Sequence, residues 1–176
     1  MASYDASSAQ CCVYSYKEGL LSRIAHDLKH RVTRFSLQLD EQQRLIEAEI
    51  DATSLRVDCV MKDGKEVPPE ADLSDDHKEE IEMQIMSEVL HSDTHPVIRF
   101  RSTDVTETRE GYHILGTLSL HGQSQSVVAT ARRVNGHYEA ELVVHQPSFG
   151  IKPFSSLMGT LKIKPEVLVK IVVPAS

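Results

Sequence analysis

The chain has 176 residues, of which 40% are hydrophobic and 26% are charged. This length favours one domain over residues 1–176, and the composition is that of a soluble globular protein rather than a disordered or membrane-spanning one. The formal net charge of −7 argues against a nucleic-acid partner, because binding to a phosphate backbone depends on clustered lysine and arginine.

The sequence also bears on the cellular compartment. The residues after Met1 are small and polar, and they lack the basic and apolar regions of a secretory signal peptide. No apolar run reaches the roughly 18 residues that a membrane span needs. Cys11 and Cys12 are adjacent and Cys59 stands apart, which does not suggest a disulfide framework. We therefore predict a cytoplasmic protein that is not integral to a membrane, and a homodimer remains open.

The first region with a clear period covers residues 35–63, where apolar and polar residues alternate. Alternation of this kind marks strands with one buried face. Segments 35–40 and 46–51 are joined by a turn, and a further segment from residue 55 ends at the Asp63-Gly64 turn signal. The stretch before them, residues 23–34, is rich in arginine and histidine. It is predicted to be a solvated turn or edge, with a site for an anionic head group as the weaker alternative.

The period changes at Ser74, which is predicted to cap a helix near residues 75–91 with acidic residues in its first turn. Ile81, Ile85 and Val89 recur at helical spacing and give this helix one apolar stripe.

Alternating segments resume at Pro96 and continue to the valine-rich end of the sequence, with Asn135-Gly136 as the clearest hairpin signal. They are residues 96–101, 112–120, 127–131, 138–144 and 167–173. The predicted fold is mainly all-β. About eight antiparallel strands in up-and-down order close into a lipocalin-like β-barrel, with one inserted helix.

Several pieces of the sequence, in their order and spacing, resemble the YceI-like family of polyisoprenoid-binding, lipocalin-like barrels. They are Pro96 to Ser102 (PVIRFRS), Gly116 to Gln125 (GTLSLHGQSQ), Phe149 to Ile151 (FGI) and the valine-rich terminal segment. An earlier piece, residues 16–27, is similar to a subgroup of that family without an export signal. The resemblance implies an eight-stranded barrel with a helix near one end and a long apolar channel for a lipid tail. The Arg-Asp-x-His-Leu stretch usual in the family is replaced here by residues 67–72.

Small residues at inward strand positions, such as Ala48, Gly116, Ala129 and Ala140, favour a cavity over an interior filled by large side chains. The apolar loop at residues 149–158 is suited to an adaptable gate, or else simply caps the barrel end. The resemblance implies an isoprenoid-like lipid or a quinone as the ligand. Its head group is predicted to lie near His26, Lys29 or His30. The predicted ligand-binding residues are Phe35, Leu37, Ile46, Ile50, Phe100, Ile114, Leu118, Leu142, Phe149, Phe154, Leu157 and Met158.

No catalytic or metal motif stands out. His26 and His30 lie four residues apart, as do His91 and His95, but neither pair has a carboxylate or cysteine partner at motif spacing. A nucleophile elbow, a phosphate loop and a dinucleotide fingerprint are all missing from the sequence. We therefore predict a non-enzymatic carrier or sequestering protein with no cofactor, metal site or catalytic residue. Two alternatives remain open: a filled barrel that contacts another protein through the helix surface at residues 78–88, and an enzyme with a site at His26.

Overall fold

The computed structural model describes residues 1–19, 26–68, 73–156 and 161–175. In these ranges the protein is built mainly of β-strands. They are β1 Ala2–Asp5, β2 Gln10–Ser15, β3 Asp27–Val32, β4 Phe35–Asp40, β5 Leu45–Asp51, β6 Leu55–Lys62, β7 Lys65–Val67, β8 Val97–Glu107, β9 Tyr112–Leu120, β10 Gln123–Val134, β11 His137–His145, β12 Ser155–Ser156, β13 Leu161–Lys162 and β14 Glu166–Pro174. Helix α1 spans Asp75–Gln84 and continues as a π-helix over Ile85–Val89, and a short 3-10 helix covers Gln146–Phe149.

Twelve of these strands form one antiparallel sheet in the order β1-β4-β5-β8-β9-β10-β11-β14-β2-β3-β6-β7, and β12 and β13 pair separately. The sheet is strongly curled into a half-barrel. Only Thr33 and Arg34 separate β3 from β4, so this bend carries the chain from one flank of the sheet to the other. Backbone hydrogen bonds hold the bend, since the Thr33 amide donates to the Ser54 carbonyl at 2.9 Å and the Asp51 amide donates to the Arg34 carbonyl at 3.1 Å.

The predicted count of eight strands is wrong, because the main sheet contains twelve. All the predicted segments are strands, namely β4, β5, β6, β8, β9, β10, β11 and β14. The additional members are β1, β2, β3 and β7. Strands β1 and β7 are short and polar and lie at the ends of the sheet order, where no alternating apolar face is required. The half-barrel thus replaces the predicted closed eight-stranded barrel.

Strand β3 corrects the prediction that the basic stretch before residue 35 is a solvated turn or edge. Leu28, His30 and Val32 alternate on a buried face of β3 and are 6%, 2% and 2% exposed. The charged side chains of Lys29 and Arg31 occupy the alternate positions. The period was obscured because a histidine, which is ordinarily read as polar, occupies the central buried position.

The predicted helix is confirmed as α1 and its π-helical continuation. The Ser74 side chain accepts a hydrogen bond from the His77 amide at 3.2 Å and caps α1. Ile81 packs against a cluster that includes Leu28 and Val60, while Ile85 of the π-helix packs against the cluster around Val32. The helical segment therefore covers part of the buried face of the sheet and delivers Leu90, just beyond its end, toward the interior.

Gly116 is the position on β9 where the packing leaves no room for a side chain. A Cβ atom built there would lie 2.5 Å from Cε2 and Cζ of Phe100 and 2.7 Å from the carbonyl oxygen of Arg101. The Phe100 ring can move, but the backbone oxygen belongs to the neighbouring strand β8 and is held in the sheet.

We therefore expect Gly116→Ala to lower the free energy of unfolding by about 1–3 kcal/mol, the usual cost of overpacking a well-packed interior. Urea unfolding monitored by circular dichroism measures the change. An unchanged midpoint would show that β8 and β9 separate easily at this point, contrary to the packing described here.

Candidate ligand-binding cavity

The curled sheet encloses an apolar cavity of about 420 Å³. This volume lies within the range of small-molecule sites in proteins. Side chains from β2, β3, β4, β5, β6, β8, β9, β10, β11 and β14 line it, so the cavity belongs to the fold rather than to one loop. The apolar lining residues are Val13, Val32, Leu37, Leu39, Ile46, Ala48, Ile50, Leu55, Leu90, Ile98, Phe100, Val105, Ile114, Leu118, Leu120, Ala129, Ala131, Ala140, Leu142, Val144, Val167, Val169, Ile171 and Val173.

Seven of the predicted ligand-binding residues line this cavity, namely Leu37, Ile46, Ile50, Phe100, Ile114, Leu118 and Leu142. Three others do not. Phe35 packs with the cluster around Cys11 and Val32, and Phe149 is 2% exposed within the core around Leu118. Phe154 is neither a lining residue nor a member of these clusters. The remaining two, Leu157 and Met158, lie outside the described residues.

Small side chains on inward strand positions create the space of the cavity, as predicted from the sequence. Ala48, Ala129 and Ala140 all line the cavity, and Ala131, directly opposite Ala140 on the neighbouring strand, joins them. Gly116 does not add to it, because the Phe100 ring occupies the place of its missing side chain. The interior is therefore not completely filled by its own side chains.

One end of the cavity is closed by packed apolar side chains. Leu90, Leu120 and Val144 line this end and belong to one cluster with the fully packed Phe149 and Ile151. The loop that begins at Phe149 is predicted either to gate or to cap the barrel. Its first residues, Phe149 and Ile151, are 2% and 3% exposed and pack in the cluster that closes this end, which fits the cap.

The other end is polar and reaches solvent. Glu41, Arg44, Glu107, Tyr112 and Tyr138 line it, and we call these five residues the rim. They lie where β4, β8 and β11 meet the turns that join them to β5, β9 and β10, and the first three are exposed. None of the five was among the ligand-binding residues predicted from the sequence. Their positions could have indicated them, because each is charged or aromatic and lies at or beside a predicted turn on the same end of the sheet.

Contacts connect the rim residues to one another. Tyr112 and Tyr138 pack edge to face with ring centroids 6.0 Å apart, and the Tyr138 hydroxyl donates to Oε1 of Glu41 at 3.5 Å. Glu107 is paired directly opposite Tyr112 across β8 and β9. Nη1 of Arg44 donates to the carbonyl of Val105 at 3.2 Å, two residues from Glu107. The rim therefore consists of groups that can donate and accept hydrogen bonds around an apolar interior.

The positions predicted to hold a head group lie elsewhere. Lys29 forms ion pairs with Glu66 at 2.6 Å and with Asp58 at 3.4 Å, and neither Lys29, His26 nor His30 lines the cavity. Lys29 and His30 belong to β3, which is a strand paired with β2 and β6 within the sheet and not a turn at the mouth of the cavity.

His30 is a buried histidine with one hydrogen bond. Its Nε2 lies 2.9 Å from Oγ of Ser15, and its Nδ1 is buried without a partner among the described residues. Burial lowers the pKa of His30 from 6.5 to about 4, because the apolar surroundings penalise the charged imidazolium. The folded protein therefore keeps this side chain neutral at pH values where the unfolded chain would protonate it.

This difference predicts a pH-dependent stability. Between pH 6.5 and about 4, His30 binds a proton in the unfolded chain but not in the folded protein. The contribution of His30 to the free energy of unfolding is therefore fully present above pH 6.5 and is lost as the pH falls. By linkage the loss attributable to His30 is about 3 kcal/mol. Urea unfolding at pH 7.5 and pH 4.5 measures it. His30→Gln, which can keep the bond to Ser15 but does not titrate, should lose this component. An identical pH slope in both proteins would refute the assignment to His30.

Three histidines gather at the closed end. The ring of His121 lies 5.3 Å from that of His91 and 4.9 Å from that of His95, measured between centroids. Nδ1 of His121 is 3.1 Å from the carbonyl oxygen of Phe149, and its Nε2 is buried without a hydrogen-bond partner among the described residues. Within the described part of the chain, no group of three or more histidine, cysteine, aspartate or glutamate side chains has a geometry that could hold a metal ion.

The fold defines the structural class of this protein, which is mainly β with one strongly curled antiparallel sheet. The sheet surrounds an apolar cavity that opens at a polar rim. Residues 13–175 match the model of the YceI-like domain, and the chain belongs to the YceI-like family. Three solved structures are similar to it. BcnA of Burkholderia cenocepacia is 16% identical over 96% of each chain, with a TM-score of 0.63. A polyisoprenoid-binding domain of Saccharophagus degradans implicated in plant cell wall breakdown is 12% identical over 100% of this chain and 99% of its own, with a TM-score of 0.57.

The third similar structure is the YceI protein of Campylobacter jejuni, which is 12% identical over 86% of this chain and 87% of its own, with a TM-score of 0.58. At these identities the likeness concerns the fold. No protein with a curated description matches the sequence. Among the helices in the described ranges, none has the length and apolar character to cross a membrane.

Proposed function

We propose that this protein binds an isoprenoid-like lipid or a quinone in the cavity and carries or sequesters it without chemical turnover. The observation that supports this most directly is the cavity itself, about 420 Å³ of space walled by apolar side chains and open at a polar rim. Membership in the YceI-like family and the fold shared with a polyisoprenoid-binding domain support the same ligand class.

The volume sets the size of the ligand. At roughly 30 Å³ for each non-hydrogen atom, the share that a water molecule takes in the liquid, the cavity of about 420 Å³ holds about 14 atoms. That is close to three isoprene units. A longer chain would extend through the rim into solvent. Farnesol, whose chain matches the volume, is therefore a suitable probe.

Burial of the chain supplies the affinity. Each methylene group removed from water contributes about 0.8 kcal/mol, so a chain of about 14 atoms gains on the order of 11 kcal/mol before costs. Loss of translational and rotational freedom removes about 4 kcal/mol or more of this. The remainder of about 7 kcal/mol or less corresponds to a dissociation constant in the micromolar range or weaker. We expect this affinity to depend little on polar contacts.

The proposal includes a cytoplasmic location. Its support is the state of the cysteines: Cys11, Cys12 and Cys59 are all free, and Cys11 and Cys59 are buried. Burial raises the pKa of the Cys11 thiol to about 12, which keeps it unreactive. Unpaired thiols are usual where glutathione and thioredoxin maintain a reducing environment.

The deciding experiment is organic extraction of the purified native protein with mass spectrometry of the extract, alongside native mass spectrometry of the intact chain. A stoichiometric isoprenoid or quinone supports the proposal and identifies the ligand. An empty protein is then titrated with farnesol. If it neither contains nor takes up such a lipid, the proposed function is wrong, and the exposed surface of α1 becomes the place to seek a protein partner.

A further inference from the structure

The outer face of the sheet, which points away from the cavity, carries an exposed apolar patch. Leu115, Val128 and Val143 lie on the neighbouring strands β9, β10 and β11 and are 44%, 53% and 60% exposed. Leu115 and Val128 are register partners. The register of β10 with β11, continued two residues past the pair Thr130 and Glu141, places Val143 beside Val128. These three apolar residues, which we call the outer patch, therefore form one row across three strands.

The surroundings of the outer patch on β9 and β10 are polar but uncharged. Alternate residues of both strands line the cavity, so the residues between them point outward. In the whole chain 26% of the residues are charged. Exposed apolar side chains in a region depleted of charge are typical of the centre of a protein–protein interface. The outward neighbours of the outer patch on these two described strands are Thr117, Ser119, Ser124, Ser126 and Thr130.

Charged residues lie at the flanks of this region, and their order fits a second copy of the same chain. In the row on one side of the outer patch, Arg101 lies on β8 at one flank and Glu166 lies on β14 at the other. Both side chains are exposed. In the row on the other side, His113 of β9 and Glu141 of β11 flank Thr130 of β10. Each row therefore has a basic residue on one flank and an acidic residue on the other.

A two-fold axis that runs along β10 and lies between two copies brings complementary groups together. The rotation places β8 over β14 and β9 over β11 of the second copy, with the two β10 strands over each other. Leu115 then faces Val143 of the second copy, and the two Val128 side chains meet at the axis. Arg101 faces Glu166 of the second copy, and the histidine and the glutamate of the other row face each other likewise. A closed two-fold dimer requires self-complementarity of this kind.

We propose that two copies of this chain associate through the outer patch as a weak, reversible two-fold dimer. With strands about 4.8 Å apart and a rise of about 3.3 Å per residue, three rows across five strands cover roughly 500 Å² of each copy. The total of roughly 1,000 Å² lies at the small end of specific interfaces and is typical of transient association. The proposal does not depend on the ligand, because the cavity lies on the opposite face of the sheet.

Sedimentation velocity of the full chain from about 1 μM to about 500 μM, a range suited to weak interfaces, tests the proposal. The fraction of dimer should rise with concentration. Val128→Glu should weaken the association at least about tenfold, because two carboxylates then meet in an apolar contact. Met83→Glu is the matched control, since Met83 is 64% exposed on α1, which packs against β6, and the charge changes equally. The control should associate like the unmodified protein.

An exchange of charges tests the proposed axis. Arg101→Glu and Glu166→Arg should each weaken the dimer, and the two substitutions combined should restore it, because opposite charges again face each other between the copies. Failure of the combination to restore association rejects this arrangement.

Two results would overturn the proposal as a whole. One is a protein that stays monomeric over the full concentration range. The other is a dimer that Val128→Glu and Met83→Glu affect alike, since association would then not involve the outer patch. Circular dichroism checks that each variant folds. If Val128→Glu does not fold, Val128→Ser, which removes the apolar contact without adding a charge, takes its place and should also weaken the dimer.

Discussion

Ligand binding by the Ala140→Trp variant should be at least about 100-fold weaker than that of the unmodified protein, while the variant still folds. Ala140 lines the cavity opposite Ala131, two residues along β11 from the rim residue Tyr138. An indole at this position would occupy much of the space that a ligand chain requires. The loss corresponds to about 3 kcal/mol of binding free energy, only part of the gain expected from burying the chain.

A measurement of stability distinguishes the loss of ligand binding from a loss of folding. Filling an existing void usually preserves or raises the free energy of unfolding, by about 0.5–2 kcal/mol. Val143→Trp is the matched control, because Val143 lies on the same strand β11 but is 60% exposed on the outer face. The control should bind normally. Farnesol titration and thermal unfolding of both variants check the prediction, and a folded Ala140→Trp protein with normal affinity would show that the ligand lies elsewhere.

The second prediction with a large expected effect tests which side chains of β9 face the interior. Leu118→Glu should lower the free energy of unfolding by at least about 4 kcal/mol, because it removes a buried leucine and introduces a carboxylate into apolar surroundings. Leu118 is 6% exposed and belongs to the cluster with Val144 and Phe149. We expect the variant to be unfolded or, if it folds, to retain no ligand.

Leu115→Glu is the corresponding control on the same strand. Leu115 is 44% exposed and lies on the outer face opposite Val128, and substitutions at such positions usually alter stability by less than about 0.5 kcal/mol. Urea unfolding of the two variants measures the contrast. If Leu118→Glu proves as stable as Leu115→Glu and still retains lipid, the assignment of inward and outward positions on β9 is incorrect.

Period-two alternation identified the strands that carry the cavity because each has one face on the apolar interior and one face toward solvent. Leu118 and Leu142 were selected on this basis, and both line the cavity. The pattern could not identify β3, where His30 occupies a buried position, nor the short edge strands β1 and β7. The alternation of apolar and polar residues predicts which face of a strand is buried only when the buried residues are apolar. A buried polar residue such as His30 is therefore missed.

The rim could not be derived from sequence for a different reason. Glu41 and Tyr138 are 97 positions apart and meet only because the sheet curls and brings their turns together. Alternation gives the direction of a side chain relative to its own strand, whereas the mouth of a cavity depends on which strand ends are neighbours. Likewise, Phe149 was predicted to face a ligand, but the 3-10 helix at the end of β11 directs it into the core.

The pairing of β2 with β14 has a consequence for how the chain folds. Cys11 and Ile171 are register partners although 160 positions separate them. Strand pairs so distant in sequence form slowly, because the entropy of closing the intervening loop is lost before the contacts are made. During synthesis, residues 10–15 leave the ribosome long before residues 166–174 exist to pair with them. The cavity wall therefore remains incomplete until β14 has been synthesised, and the complete cavity forms only after that point.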